Sequence, residues 1–167
     1  VNFDQRVQAA FEAEREKPFV RAEKRPPLRE GAGLYSRHYS FSIVEFATRC
    51  FIFKERIPAA NEALVENAEY YLANPNELND RDSFHWHAEM LCRLLDMYGT
   101  QGTVAAGLIN PKTEKIVMES LWGFAKRREA MLKSKINGPW DLVESENHHM
   151  QNITALWHIS RLAKSLP

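Results

Sequence analysis

Apolar residues recur every three or four positions along most of this chain, the spacing that places them on one face of an α-helix. No stretch shows the alternation of apolar and polar residues that is typical of a half-buried strand. The pattern therefore predicts an all-α protein. Its helices are expected at residues 2–17, 42–53, 59–73, 84–98 and 110–135, with a last helix from Met150.

Proline, glycine and asparagine mark the predicted ends of these helices. Pro18 ends the first helix, and Asn110-Pro111 supplies a capping residue followed by a proline suited to a first helical turn. Gly99 ends the fourth helix, and the small residues from there to Gly107 predict a flexible loop. Residues 18–34, rich in proline, glycine and charge, are expected to form an irregular connection.

Helical hairpins in succession are compatible with two architectures. One is a helical bundle of about six helices, and the other is part of an (α/α) toroid, in which the ends of the inner helices converge on a cleft. The length of 167 residues suits one core, so residues 1–167 are expected to form a single all-α domain or a fragment of a larger toroid domain. The chain begins with Val1, which favours a processed or excised chain with the rest of a longer chain as a partner.

Composition and charge argue against two classes of function. Lys plus Arg and Asp plus Glu each number 22, and no basic run stands out, so no nucleic-acid partner is expected. No apolar run approaches the roughly 20 residues that cross a bilayer, so no membrane span is expected either. Cys50 and Cys92 lie in apolar helical patterns, which predicts buried thiols, or a disulfide if their helices are neighbours.

The helix predicted at residues 42–53 is apolar on nearly all sides, which indicates burial in the middle of the fold. Glu45 and Arg49 are four residues apart on this helix, so we expect them to form a pair. Such a pair is either a structural ion pair or part of the wall of a site, because buried charges need partners.

The densest group of polar and titratable residues lies at 140–150, directly before the last apolar helix. Ser145 or Asn147 can cap that helix, whose first backbone N–H groups have no intrahelical partner and favour an anion. Asn147 also offers an amide donor, and His148 and His149 offer two imidazoles. We interpret this group as a seat for a substrate that carries a carboxylate.

The Asn147-His148 pair before a tryptophan-containing helix resembles the Asn-His element of the (α/α)-toroid polysaccharide lyases, the alginate, chondroitin and heparinase-like group. The resemblance implies that Asn147 binds a uronate carboxylate and that His148 helps to take the C5 proton, either as the base or by neutralising charge. It implies a tyrosine as the acid, for which Tyr39 and Tyr35 are candidates by residue type. It further implies an acidic polysaccharide as substrate, β-elimination without a cofactor, and a secreted or periplasmic location.

Further side chains are candidates for substrate binding in this cleft. Indole rings offer flat apolar faces that suit stacking on sugars, and carboxylates and imidazoles suit hydrogen bonding to them. The candidates are Trp140, Glu146, His149, Trp86 and His85.

Two alternatives stay open. His85 and Glu89 share a helix face and, together with Glu146 and His149 in Glu-x-x-His spacing, are suited to a divalent metal in a non-catalytic or metal-binding helical bundle. A glycoside hydrolase on the same toroid would use Glu144 or Glu146 with a second carboxylate.

Overall fold

The computed structural model describes residues 2–21, 33–75, 84–135 and 146–165, with side chains described at 2–21, 39–75, 87–130 and 153–164. These ranges contain helices and no strand, so the predicted all-α class is confirmed. None of the described helices is long and apolar enough to cross a membrane. The helices are α1 (Phe3–Glu16), α2 (Gly33–Phe53), α3 (Ile57–Ala73), α4 (Phe84–Tyr98), α5 (Pro111–Lys135) and α6 (Glu146–Ser165).

The start of α2 differs most from the sequence prediction. This helix begins at Gly33 rather than at residue 42, because no proline interrupts the backbone hydrogen bonds in between. The expected connection at 18–34 therefore overlaps the start of α2. Its residues 18–21 are not helical, and residues 22–32 lie outside the described part of the chain.

The predicted cap of α5 is confirmed, and it is tied to α3. The Asn110 side chain accepts a hydrogen bond from the Thr113 backbone at 2.9 Å, and Pro111 begins the helix. Asn61 of α3 accepts from both the backbone and the side chain of Asn110, each at 3.0 Å, and donates to the Leu108 carbonyl at 2.8 Å. One buried amide therefore holds the loop before α5 against the start of α3.

The loop between α4 and α5 is more tightly held than its small residues suggested. Backbone hydrogen bonds run from Gly107 to Gly99 at 2.8 Å, from Thr103 to Asp96 at 2.9 Å and from Ile109 to Tyr98 at 2.8 Å. A Cβ at position 99 would lie 2.5 Å from the Leu95 carbonyl oxygen, so this helix end needs glycine. The prediction of a flexible loop was wrong because the end of α4 supplies hydrogen-bonding partners.

Ring contacts fix the relative direction of α2 and α4. The ring of Phe41, in the middle of α2, lies 6.4 Å from that of His87, near the start of α4. The ring of Phe51 lies 5.4 Å from that of Tyr98, near the end of both helices. The two helices therefore run parallel.

The remaining contacts arrange the helices in two layers. Arg161 and Asp96 form an ion pair at 3.0 Å near the C-terminal ends of α6 and α4, which pack together and so run parallel. The starts of α3 and α5 meet through Asn61 and Asn110, and these helices also pack together. One layer is α2–α4–α6 and the other is α3–α5, and the chain alternates between the layers from α2 to α6.

The core lies between these layers, with α2 buried among α3, α4 and residues 18–20. Cys50 and Cys92 are buried free thiols, as predicted. Burial raises the pKa of Cys50 to about 11 and that of Cys92 to about 12, so both thiols stay protonated at neutral pH. The largest fully buried apolar side chains are Phe51, Ile43, Leu64, Ile109, Leu121, Ile159, Val44 and Val117.

Arg49 holds α1 and the segment that follows it. Its guanidinium donates to the backbone carbonyls of Glu14, Lys17 and Pro18 at 2.6, 2.8 and 3.0 Å. It also lies 4.9 Å from the centre of the Phe19 ring. Arg49 does not form the expected pair with Glu45. Both of its terminal nitrogens donate instead to backbone carbonyls at and just after the end of α1.

We expect Arg49→Met to loosen α1, which has no buried residue of its own. The variant keeps an apolar stem and removes every hydrogen bond to the three carbonyls, at a cost of about 1–2 kcal/mol. Hydrogen exchange at residues 3–21 should accelerate, while exchange in α3 and α4 should change little. Arg93→Met is the control, because Arg93 pairs only with Glu89 of its own helix at the surface. Unchanged exchange at α1 would contradict the assignment.

Candidate functional site

The N-terminal ends of α2, α4 and α6 lie at one end of their layer, because the three helices run parallel. We call this region the N-terminal end of the layer. It contains the first turns of α4 and α6, which begin at Phe84 and Glu146, and the part of α2 around Tyr39. Long stretches of chain separate these three segments, so local sequence patterns did not predict that they lie at the same end of the layer.

Most residues predicted to form the site belong to these segments. The backbones of His85 and Trp86 lie in the first turn of α4. The first turn of α6 contains the backbones of Glu146, Asn147, His148 and His149, so Asn147 is inside the helix rather than its N-cap. The side chains of these six residues lie outside the described part of the chain, as does all of Trp140.

A buried hydrogen-bonded network underlies the N-terminal end of the layer. Ser40 of α2 donates to the Asn67 side-chain oxygen of α3 at 3.0 Å and lies 2.8 Å from the Tyr71 hydroxyl. The Asn67 nitrogen lies 2.8 Å from Nε2 of His87 in α4. The four side chains are nearly fully buried. We call them the Ser40–Asn67–Tyr71–His87 network.

Asn67 is the centre of this network, because its side chain contacts both α2 and α4. The amide oxygen of Asn67 is used by Ser40, so the amide nitrogen donates to His87. This hydrogen bond joins α3 to α4 in the core.

Tyr39 connects this network to the surface. Its ring is buried, and its hydroxyl donates to the Glu66 carboxylate at 3.1 Å. The Glu66 side chain is 56% exposed and forms an ion pair with Arg21, which follows α1. The Tyr39 hydroxyl thus lies at the border between core and solvent, next to a carboxylate that is already paired with a cation.

The alternative metal site finds no support in the described side chains. Glu89, one of its proposed ligands, accepts a hydrogen bond from Arg93 at 2.6 Å. Among the residues whose side chains are described, no group of three or more His, Cys, Asp or Glu residues is arranged to hold a metal ion. His85, Glu146 and His149, the other proposed ligands, are outside that set, so the metal hypothesis stays a prediction.

Sequence reasoning missed the network and singled out His85 rather than His87. One residue of the network, Asn67, did carry a signal. Asn67 lies on the same helical face as Leu64, Ala68 and Tyr71, so an amide was placed in an apolar stripe. A buried amide needs partners on neighbouring helices, which the sequence could not name.

Comparison with known proteins assigns no function to this chain, so a functional proposal must rest on the geometry of its described residues. No protein family, curated protein or solved structure matches the chain.

We expect Asn67→Ala to destabilise the protein by about 2–4 kcal/mol, because it removes partners from two buried polar groups and leaves a cavity. Urea unfolding followed by circular dichroism measures this loss. Asn74→Ala is a matched control, since Asn74 is an amide at the partly exposed end of the same helix and bonds only the Tyr70 carbonyl. Equal losses of unfolding free energy in the two variants would show that the network stabilises the protein no more than the hydrogen bond of Asn74 does.

Proposed function

We propose that this protein is a polysaccharide lyase that cleaves uronate-containing glycans by β-elimination. The proposal rests on one observation: the parallel course of α2, α4 and α6 collects the segments around Tyr39, His85-Trp86 and Asn147-His148 at one end of a layer. The resemblance to the toroid lyases selected Asn147-His148, residue type selected Tyr39, and side-chain chemistry selected His85 and Trp86. In the layer, α4 lies between α2 and α6, so the segment around His85-Trp86 lies between the other two.

The arrangement of the helices gives a second line of support. Antiparallel hairpins that stack side by side form two layers of parallel helices, which is the repeating unit of an (α/α) toroid. We propose that the chain is part of such a toroid, with α2–α4–α6 as the inner layer. A cleft for a long polymer would then lie at the N-terminal end of the layer.

The proposed chemistry requires three groups. Asn147 donates to the uronate carboxylate and reduces its negative charge, so that the carbanion formed at C5 can delocalise into it. His148 removes the C5 proton as a neutral imidazole, a form that the positive end of the α6 dipole favours. The electron pair forms a carbon–carbon double bond, the bond to the glycosidic oxygen breaks, and an acid protonates that oxygen.

Tyr39 is the proposed acid. Its hydroxyl lies between the buried network and the exposed Glu66 carboxylate, and the hydrogen bond to Glu66 holds the phenol in one orientation. To protonate the glycosidic oxygen, this O–H would turn from Glu66 to the substrate. The neighbouring Ser40–Asn67–Tyr71–His87 network fixes the backbone on which Tyr39 stands. These side chains suffice for the elimination, so no cofactor is part of the proposal. Action on an extracellular glycan favours a secreted or periplasmic enzyme.

We expect His148→Ala to reduce turnover of alginate or chondroitin sulfate by at least about 100-fold, because the proton acceptor is lost. Ultraviolet absorbance of the unsaturated uronate product measures the rate. Ser160→Ala is the control, because Ser160 is exposed on the same helix and bonds only a backbone carbonyl. Circular dichroism should show the same helical content in both variants.

Two outcomes would contradict the lyase proposal. A rate close to that of the wild type in His148→Ala would remove this residue from the mechanism. Release of reducing ends without the absorbance of an unsaturated product would identify hydrolysis instead, with Glu144 or Glu146 as the residues to test.

Tyr39→Phe should reduce turnover by at least about 100-fold while the protein loses only about 1 kcal/mol of stability, the contribution of one hydrogen bond to a largely exposed carboxylate. Tyr71→Phe is the matched control. It removes a buried hydroxyl from the same region, so it should lower stability and leave turnover near that of the wild type. Full activity of Tyr39→Phe would show that Tyr39 has a structural role alone.

A further inference from the structure

The face of α6 that points away from the core is both aromatic and basic. Ala155, Ile159 and Leu162 are buried on one side of the helix. On the opposite side, Ile153 and Trp157 are 45% and 58% exposed. The same side continues through Ser160, Arg161 and Lys164, all of them exposed. We call these five residues the outer stripe of α6.

The Trp157 ring is held in position by its neighbours. The His158 ring lies 4.9 Å from it at an interplanar angle of 75°. The Arg161 guanidinium carbon, one turn further along, lies 5.7 Å from the centre of the Trp157 ring. A large apolar surface that is already oriented loses little conformational entropy when a ligand stacks on it.

Charge on this surface favours an anionic ligand. Residues 153–164 include Arg161 and Lys164 and no Asp or Glu. Arg161 is paired with Asp96, but both side chains are more than one third exposed, and such pairs contribute little free energy. An incoming carboxylate or sulfate can therefore recruit the guanidinium at small cost.

We propose that the outer stripe of α6 is a secondary binding site for an acidic polysaccharide, distinct from the N-terminal end of the layer. A sugar ring stacks on Trp157, and the acidic groups of adjacent sugars pair with Arg161 and Lys164. The class of ligand rests on the proposed function. Trp157 lies ten residues after Asn147, which corresponds to about 15 Å along the helix.

The composition of the stripe fits a glycan better than a protein. A stable protein interface covers about 800 Å² on each partner, with a continuous apolar centre. Here the exposed apolar side chains are only Ile153 and Trp157, and polar or charged side chains follow directly. The single exposed indole ring of Trp157, beside cationic side chains, suits a sugar ring that carries anionic groups.

The test compares polymer binding by two tryptophan variants in the His148→Ala background, which leaves the polymer uncut if the lyase proposal holds. Trp157→Ala should raise the Kd for alginate or chondroitin sulfate at least about fivefold in titration calorimetry. Trp122→Ala should leave Kd within twofold, since Trp122 is a comparably exposed tryptophan on α5. Arg161→Ala with Lys164→Ala should weaken binding and make the Kd less dependent on salt. Dextran, which is neutral, should bind far more weakly.

The proposed site would be wrong if Trp157→Ala and its parent had equal Kd values, or if both tryptophan variants lost affinity equally. Absence of binding to any acidic polymer would also overturn it. A dimer that Trp157→Ala dissociates would identify the outer stripe as a protein interface instead. The lyase proposal fails separately. Binding that depends on Trp157 but yields no unsaturated product in the wild type leaves the site standing, whereas product formation with binding independent of Trp157 removes only the site.

Discussion

The amide of Asn67 is the interaction on which the arrangement of this fold depends most. It joins three helices, because its oxygen accepts from Ser40 of α2 and its nitrogen donates to His87 of α4. Apolar contacts are non-directional, so helices that share only such contacts can shift along one another. A buried amide allows no such shift, since each lost partner leaves a polar group without hydrogen bonds at about 1–3 kcal/mol. The network therefore fixes the register of α2, α3 and α4.

That register matters because of how hairpins stack. Helices α2, α4 and α6 run parallel to one another, and the starts of α3 and α5 lie together. The starts of α2, α4 and α6 are collected at the same end, close to the buried network. A site built from several helix starts needs each helix to keep its axial position to within a fraction of a turn. The network supplies this constraint for two of the three helices.

Different kinds of contact stabilise the two ends of the α2–α4–α6 layer. Near Tyr39 the contacts are directional hydrogen bonds, buried for Ser40 and part-buried for Tyr39, which favours a rigid support for chemistry. Near Arg49 the contacts are exposed hydrogen bonds to the carbonyls of α1 and to residues 17–18, together with the Phe11–Phe53 ring contact at 4.9 Å. Helix α1 buries no residue. It is therefore expected to open locally well before the core unfolds.

The sequence alone determined the all-α class, both ends of α4 and the Asn110-Pro111 start of α5, because helical periodicity and capping are local properties. It also selected the segments around residues 39, 85 and 147, since their chemistry is visible in the residues themselves. Only the tertiary structure decided that these segments share one end of a layer and that Glu66 faces Tyr39. It also decided that Arg49 serves carbonyls of α1 rather than Glu45. The reason is that a local pattern tells which face of a helix is buried, whereas the partner across that face comes from a part of the chain tens of residues away.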